Sequence, residues 1–363
     1  KNFYSRYSRK EMNERVSVVS KGSIYYYLEE ALENLFHFKN LPFVSLWPFP
    51  GVEQNIFGFR IDTDFADMKD LKNLYSVCKE NNIRASWFVE TGSSGDNINF
   101  YSSLEDQEIG LHCHRHKVFG SYKSNYVNIF KGQKSLGKIN ISPCGFAAPY
   151  GEWNAALGQA INDLNFLYSS EFGFAYDSLP FYPYLNKSLS KTLQVPIHPI
   201  SIGRLYWGGH SEENIVKYFE DIIDYKLAVF QPIIFYTHPG EKRFHIFNLL
   251  FKKINALGIC NYSLREYAEW WSKRWKIDFS ASFENEKINI ECSNEDKTVW
   301  LKIIYPNNEI FISNMSGDVN LNRKIIRKQK LNINFGDRYN ELRKTTPRMI
   351  WHDILHRYRK LEQ

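Results

Sequence analysis

Residues 56–64 read Ile-Phe-Gly-Phe-Arg-Ile-Asp-Thr-Asp, an apolar run that ends in two carboxylates two positions apart. A short apolar run of this kind is typical of a buried strand, and α/β folds place their chemistry just after such strands. Because residues i and i+2 of an extended chain point to the same side, Asp62 and Asp64 both reach one site, while Thr63 turns away. One carboxylate can then bind a metal ion while the other stays free to act as a base.

A second apolar run, residues 108–111, leads into His-Cys-His-Arg-His at 112–116. His112 and His116 converge whether this segment is extended or helical, and His114 joins them only if it is extended. An aspartate with a histidine pair is the ligand set of an open catalytic metal site. Taken singly, each of these residues is explained as a turn, cap or surface residue, but the combination favours a metal site.

Two further motifs lie downstream: Gly-Phe-Ala-Ala-Pro-Tyr-Gly at 145–151 and Phe-Tyr-Thr-His-Pro at 235–239. Together with the Asp-x-Asp and His-x-x-x-His motifs, and in this order, they resemble the polysaccharide deacetylases, which form carbohydrate esterase family four. The resemblance covers roughly residues 55–275, and four motifs in the family's order carry it. It implies an α/β fold, namely a distorted and incompletely closed (β/α) barrel.

Carried over position by position, the resemblance assigns the acid–base and metal-binding roles. It implies that Asp62 is the general base and that His238 is the general acid. It also implies one divalent metal ion, held by Asp64, His112 and His116. Two imidazoles and one carboxylate suit zinc or a similar borderline metal, so zinc is the expected cofactor.

The substrate-binding residues follow from the same resemblance. Pro149, Tyr150 and Gly151 match the stretch that lines the acetyl pocket, where the backbone amide at Tyr150 helps to hold the oxyanion. Asp177 falls where the family often keeps an acidic residue near the catalytic histidine, although a turn explains it equally well. Trp207, which two glycines follow, is the best candidate for a ring on which a sugar stacks.

The sequence departs from the family pattern at Ala147, where the family usually has an arginine that tethers the catalytic aspartate. A nearby cation is one of the features that keep a carboxylate ionised. We predict that Arg60, Arg115, Arg204 or an ordered water lies within about 4–6 Å of the Asp62 carboxylate instead. Arg60 is nearest in sequence but is the least favoured, because its guanidinium is free to lean either way.

The charge and aromatic content limit the possible partners. The net charge of +6 is modest and spread along the chain, with a denser basic stretch only at 323–330. We interpret that stretch as a solvated edge, so no nucleic-acid partner is expected. Aromatic residues make up 16% of the chain; core packing is the favoured explanation for them, and contact with sugar faces is the alternative. The resemblance to the deacetylases implies an N-acetylated glycan as substrate and partner.

The cysteines and the hydropathy bear on the cellular compartment in which the protein is expected. Five scattered cysteines without a Cys-x-x-Cys pair argue against a disulfide framework and against a structural zinc module. No apolar stretch reaches the about 18 residues of a membrane span, so no transmembrane segment is expected. Cysteine usage favours a reducing compartment and hence a cytoplasmic location, although the sequence begins at Lys1 rather than Met, which leaves a native leader open.

Changes of pattern divide the chain into four predicted regions: 1–54, an N-terminal helical extension and strap; 55–276, the deacetylase-like catalytic barrel; 277–336, a small antiparallel β domain; and 337–363, a basic helical tail. In the first region, 11–38 has helical spacing and 43–51 is an irregular aromatic strap. For the β domain we favour a packing or dimerisation role over sugar binding.

Within the barrel, short β-rich runs alternate with helical runs, which calls for a parallel sheet. Strands are predicted at 56–62, 84–90, 108–112, 144–148, 193–197 and 232–237, and helices at 66–81, 152–163, 211–226 and 243–256.

The combined interpretation is a metal-dependent deacetylase, a hydrolase that removes acetyl from an N-acetylated sugar of a surface polysaccharide or its precursor. Two alternatives stay open. One is a non-catalytic glycan-binding or scaffold protein with the same fold, which Ala147 favours. The other is an O-acetyl esterase.

Overall fold

The N-terminal region is more varied than its sequence pattern suggests. The computed structural model describes residues 8–11, 14–17, 19–315 and 323–326, together with the single positions 347 and 351. Apart from those two positions, the predicted tail at 337–363 lies outside the described residues. The first elements are a hairpin, a helix and a strand: β1 (Ser8–Glu11), β2 (Glu14–Ser17), α1 (Lys21–Phe38) and β3 (Phe43–Leu46).

Two expectations for this region are corrected. The helix predicted over 11–38 begins only at Lys21, because the side chain of Ser20 caps it by accepting a hydrogen bond from Ser23 N. The predicted irregular strap contains β3, which pairs with a strand close to the other end of the chain. A local pattern cannot show a partner so distant in sequence.

The centre of the molecule is a parallel sheet of eight strands: β4 (Ile56–Asp62), β5 (Ser86–Val89), β6 (Glu108–Leu111), β7 (Gly145–Phe146), β8 (Tyr168–Ser169), β11 (Leu193–Gln194), β12 (Ile233–Thr237) and β13 (Cys260–Asn261). A small hairpin, β9 (Tyr184–Leu185) with β10 (Ser188–Leu189), lies outside this sheet.

The strand order is β11, β8, β7, β6, β5, β4, β12, with β13 alongside the start of β4. The end strands β11 and β12 do not pair with each other within the described chain, and a hydrogen bond of 2.9 Å from His198 N to Ile234 O crosses the gap between them. The barrel is therefore incompletely closed, as predicted. All seven residues of β4 and all five of β12 are buried, because parallel strands are covered on both faces.

In the part of the chain that the structure describes, seven α-helices surround the sheet: α2 (Met68–Glu80), α3 (Tyr122–Gly137), α4 (Ala155–Asp163), α5 (Ile202–Trp207), α6 (Glu212–Ala228), α7 (Phe244–Ala256) and α8 (Leu264–Arg274). Six of them begin at a Ser, Asp or Asn whose side chain accepts a backbone hydrogen bond of the first turn: Asp67, Ser121, Asn154, Ser201, Ser211 and Ser263. Each of the six predicted strands is present, whereas β8 and β13, of two residues each, were not predicted.

The predicted C-terminal β unit consists of two sheets. Among the described residues, the hairpin β14 (Phe279–Glu284) with β15 (Lys287–Cys292) forms a sheet of two strands. The strands β16 (Trp300–Ile304), β17 (Ile310–Asn314) and β18 (Arg323–Ile326) form an antiparallel sheet that β3 completes. Lys302 Nζ pairs with the Glu29 carboxylate of α1, so the N-terminal and C-terminal regions are joined.

Candidate metal centre and active site

The site begins at the carboxyl end of β4, where Arg60 and Asp62 share one face of the strand. Arg60 Nε lies 2.7 Å from Asp62 Oδ1, and Arg60 Nη2 lies 2.6 Å from Oδ2. Both side chains are buried, and Arg60 Nη1 donates to the Ser170 carbonyl. Burial acts to lower the pKa of Arg60, but the Asp62 carboxylate outweighs it and raises the pKa. The pair is thus a bidentate, buried ion pair.

The sequence lacks the expected arginine at position 147, and this ion pair shows which cation lies beside Asp62 instead. One of the three named arginines lies beside Asp62, as predicted, but the ranking was wrong, since Arg60 is the one. The guanidinium cannot lean either way, because it stands 5.4 Å from the Phe88 ring and is closed in on all sides. The packing of the barrel interior directs it along the strand toward Asp62.

Three side chains converge beside this pair. Candidate ligand atoms of Asp64, His112 and His116 all lie within 4.8 Å of one another. Asp64 Oδ1 is 3.8 Å from His112 Nε2, and Asp64 Oδ2 is 3.3 Å from His116 Nε2. His114 is directed elsewhere, with its Nδ1 3.1 Å from Thr91 Oγ1. This chain therefore has a possible Asp/His/His metal site.

The chemistry of His112 fits a metal ligand. Its Nδ1 is 2.8 Å from the Ala147 carbonyl oxygen, which can only accept, so Nδ1 carries the proton and Nε2 has a free lone pair. That buried Nε2 makes no hydrogen bond and faces Asp64. Burial lowers the pKa of His112, although the Asp62 and Asp64 carboxylates act to raise it. The lowered pKa favours the neutral ring. A carboxylate and two imidazoles suit zinc or a related divalent ion.

His238 also lies beside Asp64, with its Nε2 3.7 Å from Asp64 Oδ1. Its Nδ1 is 2.9 Å from Glu241 Oε1, a residue that the sequence reasoning missed. The available signal was the spacing in His-Pro-Gly-Glu, where a 3₁₀ turn at Pro239–Glu241 folds the carboxylate back onto the ring. Burial lowers the pKa of His238, but the carboxylates of Asp64 and Glu241 outweigh it and raise the pKa to about 10.

Glu241 is itself held in place by several donors. It accepts hydrogen bonds from Ser201 Oγ at 2.7 Å, Gly203 N at 2.9 Å and Thr237 Oγ1 at 3.0 Å. A Cβ on Gly203 would lie 2.4 Å from the Glu241 side chain, so only glycine allows this approach. Burial acts to raise the pKa of Glu241, but the hydrogen bond and charge of His238, together with the hydrogen bonds from Ser201 and Gly203, outweigh it and lower the pKa. Glu241 is therefore an ionised partner that orients the His238 ring.

The predicted acetyl-pocket stretch forms a 3₁₀ turn, Pro149–Gly151. Tyr150 and Gly151 both have φ of +60°, in the left-handed region that costs a non-glycine residue energy. The Tyr150 ring stands edge-on to the His116 ring with centroids 4.7 Å apart, which places this turn beside the possible metal site.

Glu171 is a further buried carboxyl group beside the site. Its Oε1 accepts a hydrogen bond of 3.2 Å from Ala148 N, next to the acetyl-pocket turn. Burial raises its pKa to about 7, against the opposing effects of the Ser169 hydroxyl and the Arg60 guanidinium. No motif indicated this residue, because two of its partners, Ala148 and Arg60, come from other parts of the chain.

The two remaining predicted residues have other surroundings. Asp177 lies at the N-terminus of α1, where its carboxylate accepts hydrogen bonds from Ser20 Oγ and, at 3.1 Å, from Gly22 N. Glu241, rather than Asp177, is the acidic partner of His238. Trp207 ends α5, half-buried, with its ring centroid 5.6 Å from that of Tyr206.

Comparison with known proteins locates the fold. No protein-family model matches the sequence, and no curated protein is similar to it. A Mycobacterium smegmatis protein assigned as a polysaccharide deacetylase has a TM-score of 0.54 at 15% sequence identity, covering 64% of this chain and 96% of that protein. A protein of Pseudomonas aeruginosa PAO1, likewise assigned, has a TM-score of 0.51 at 12% identity, covering 61% and 92%. At these identities the likeness concerns the fold.

Proposed function

We propose that this chain, which has the fold of the polysaccharide deacetylases, is a metal-dependent deacetylase of an N-acetylated sugar in a surface polysaccharide or its precursor. The observation that carries the proposal is the convergence of Asp64, His112 and His116 between an arginine-held Asp62 and a glutamate-held His238. The three converging residues would hold a zinc or similar divalent ion. Such an ion supplies a polarised acetyl carbonyl and a water of lowered pKa.

Asp62 is the proposed general base that takes the proton of the attacking water. A base must be ionised and correctly oriented before the reaction. The bidentate contact with Arg60 supports this role, because it pairs the carboxylate with a permanent positive charge and its two parallel N–H groups fix the plane of the carboxylate. This contact supports an active enzyme over the scaffold alternative that Ala147 raised.

His238 is the proposed general acid. An amine is a poor leaving group as an anion, so it needs a proton as the C–N bond breaks. Glu241 stabilises the doubly protonated ring through Nδ1, and Nε2 then carries the proton that is given away. An alkoxide leaving group depends less on such an acid, so this arrangement supports N-deacetylation over O-deacetylation.

The turn at Pro149–Gly151 is the proposed acetyl pocket, with the Tyr150 backbone N–H directed at the oxyanion. A donor of this kind is commonly worth about 3–4 kcal/mol of transition-state stabilisation.

Trp207 stays the proposed sugar platform. We place the catalytic unit in 55–276 and give 277–336 a packing role, since β3 completes one of its sheets. In the described part of the chain, no helix has the length and apolarity needed to cross a bilayer.

Metal content and acetate release test the proposal together. The purified protein should contain about one divalent ion per chain, and it should release acetate from a member of a panel of N-acetyl sugars. Asp64→Ala, His112→Ala and His116→Ala should each lose the ion, whereas His114→Ala, the matched control on the same loop, should keep it. Asp62→Asn should keep the ion and lose acetate release by about 10²–10⁴-fold.

Three outcomes would contradict the proposal. Loss of the ion from His114→Ala but not from His116→Ala would show that the ligand set is wrong. Wild-type protein that holds the ion but is silent on all N-acetyl and O-acetyl sugars would support the glycan-binding alternative. Release from O-acetyl sugars only would identify an esterase.

A further inference from the structure

The loop that follows β8, residues 170–177, touches the candidate active site at its start. Ser170 O accepts a hydrogen bond from Arg60 Nη1, the third donor of the guanidinium that holds the proposed base. The next residue, Glu171, accepts from Ala148 N. The start of this loop therefore fixes both the base-holding arginine and the chain that enters the acetyl-pocket turn.

The middle of the loop supports the acetyl-pocket turn directly. The Phe172 ring lies so close to Gly151 that a Cβ there would stand 2.1 Å from a ring carbon. Gly173 N donates a hydrogen bond of 2.8 Å to Gly151 O. Because Gly151 follows Tyr150, whose backbone is strained at φ +60°, these contacts help to hold the Tyr150 amide in its position.

The N-terminal region contacts the middle of the same loop at two points. Strand β2 lies alongside Pro149–Gly151, and Ser17 N donates a hydrogen bond of 3.0 Å to Phe172 O. Lys21 Nζ donates to Phe174 O and stands 4.6 Å above the Phe174 ring. Both contacts involve directional donors rather than apolar packing alone.

The end of the loop is fastened to the start of α1 by the buried Asp177. Its carboxylate accepts from Ser20 Oγ and Gly22 N, the first turn of the helix. The approach is close, because a Cβ on Gly22 would lie 1.8 Å from the Asp177 carbonyl oxygen. A carboxylate at a helix N-terminus is favourable by charge as well as by hydrogen bonding.

We propose that the N-terminal segment, Glu14–Ser17 together with the first turn of α1, is a positioning element of the active site. By docking on loop 170–177 it holds the Tyr150–Gly151 backbone in the conformation that the acetyl group requires. Asp177 and Gly22 are the positioning residues that fasten it. This inference rests on the proposed function for its kinetic consequence but not for its structural one.

Two variants release the segment in different ways. Asp177→Ala removes both acceptors, and Gly22→Ala pushes α1 off the loop without altering any loop residue. Asp177→Asn keeps an acceptor for the Gly22 N–H and serves as the rescue variant. Asp296→Ala is the matched control, because Asp296 likewise accepts one backbone N–H and one hydroxyl, both from Thr298, in the C-terminal β region.

The first readout is kinetic. Asp177→Ala and Gly22→Ala should each lower kcat for acetate release by about 10–100-fold, the usual consequence of misplacing a reacting group by about 1 Å. KM and metal content should change little, since neither variant touches a ligand. Asp177→Asn should recover most of kcat, and Asp296→Ala should match the wild type.

The second readout, amide hydrogen exchange, needs no activity. Both releasing variants should exchange faster in peptides that contain residues 14–22 and also in peptides that contain 149–151. Faster exchange at 14–22 alone, or wild-type kcat in both variants, would overturn the proposal and leave the segment as packing. If both variants exchange faster in both sets of peptides but the wild type releases no acetate from any sugar, only the proposed function is contradicted.

Discussion

Two buried carboxylates lie at opposite ends of the strands of the central sheet, and the donors that bind them differ in charge. Asp62 ends β4 and receives two hydrogen bonds, of 2.7 and 2.6 Å, from the Arg60 guanidinium. Glu108 begins β6 and receives hydrogen bonds from neutral donors, among them the Tyr168 hydroxyl at 2.6 Å and the Arg265 backbone N–H at 2.9 Å. The two ends therefore differ in whether a buried cation accompanies the buried anion.

The difference corresponds to what each carboxylate does. Burial raises the pKa of Glu108. A raised pKa is compatible with a structural role, in which the Glu108 carboxyl group accepts a hydrogen bond from the N-terminus of α8. The proposed base Asp62 has the Arg60 guanidinium as its partner, at the expense of burying a second ion. The carboxyl end of the sheet thus has an ion pair where the amino end has a carboxyl group held by neutral donors.

The largest expected effect comes from breaking the ion pair. Arg60→Met leaves Asp62 buried without its cation, and removing one partner of such a pair typically costs about 3–5 kcal/mol. We expect the free energy of unfolding in urea to fall by that amount. Glu108→Gln, the counterpart at the other end, should cost less, about 1–3 kcal/mol, because its donors are neutral.

The double variant Arg60→Met/Asp62→Asn checks the cause of that loss. It removes both charges, so it should regain part of the stability while remaining inactive. If Arg60→Met were as stable as the wild type, the pair would not be the buried contact described above.

A smaller effect is expected from the partner of His238. Glu241→Gln keeps the shape of the side chain but removes the charge that stabilises the protonated ring, and it disturbs the contact with Gly203 N. Such supporting residues usually change activity by about 10–100-fold, so kcat for acetate release should fall within that range. Glu108→Gln should leave kcat within about twofold, since that carboxylate lies at the other end of the strands. Equal losses from both variants would remove the distinction between the two ends.

The smallest effect is a pH dependence of stability. Because the folded-state pKa of Glu108 is raised above its ordinary value of 4.5, its contribution to stability is fully present below that pH. It is lost as pH rises through the folded-state value. The unfolding free energy of the wild type should therefore fall relative to that of Glu108→Gln above pH 4.5, by at most about 1.4 kcal/mol per pH unit. A stability advantage of the wild type over Glu108→Gln that shrinks toward acid would contradict the raised pKa.

Part of this site was predictable from local sequence because the geometry of a single strand is local. The i, i+2 spacing placed Asp62 and Asp64 toward one site whatever the rest of the chain did. The His112 and His116 pair converges in either conformation for the same reason. The structure brings these residues together, and their catalytic roles stay proposals that the variants above test.

Other parts were not predictable, because they depend on contacts between distant segments. Asp177 and Glu241 are both acidic and both near a turn, and nothing local tells which one meets His238. Glu241 does so because Pro239–Glu241 closes a tight turn, whereas Asp177 is occupied by α1. The pairing of β3 with β16 is likewise set by chain ends that meet only in the folded molecule.

The sequence by itself determined the alternation of strands and helices, and with it the parallel sheet whose carboxyl ends collect the motif residues. Apolar runs and residue spacing act over a few positions, so they survive without tertiary context. Only the tertiary structure decided that Arg60, the least favoured of three arginines, holds Asp62. A long side chain has many rotamers of similar energy in an isolated strand, and the surrounding rings and the Ser170 carbonyl leave it one.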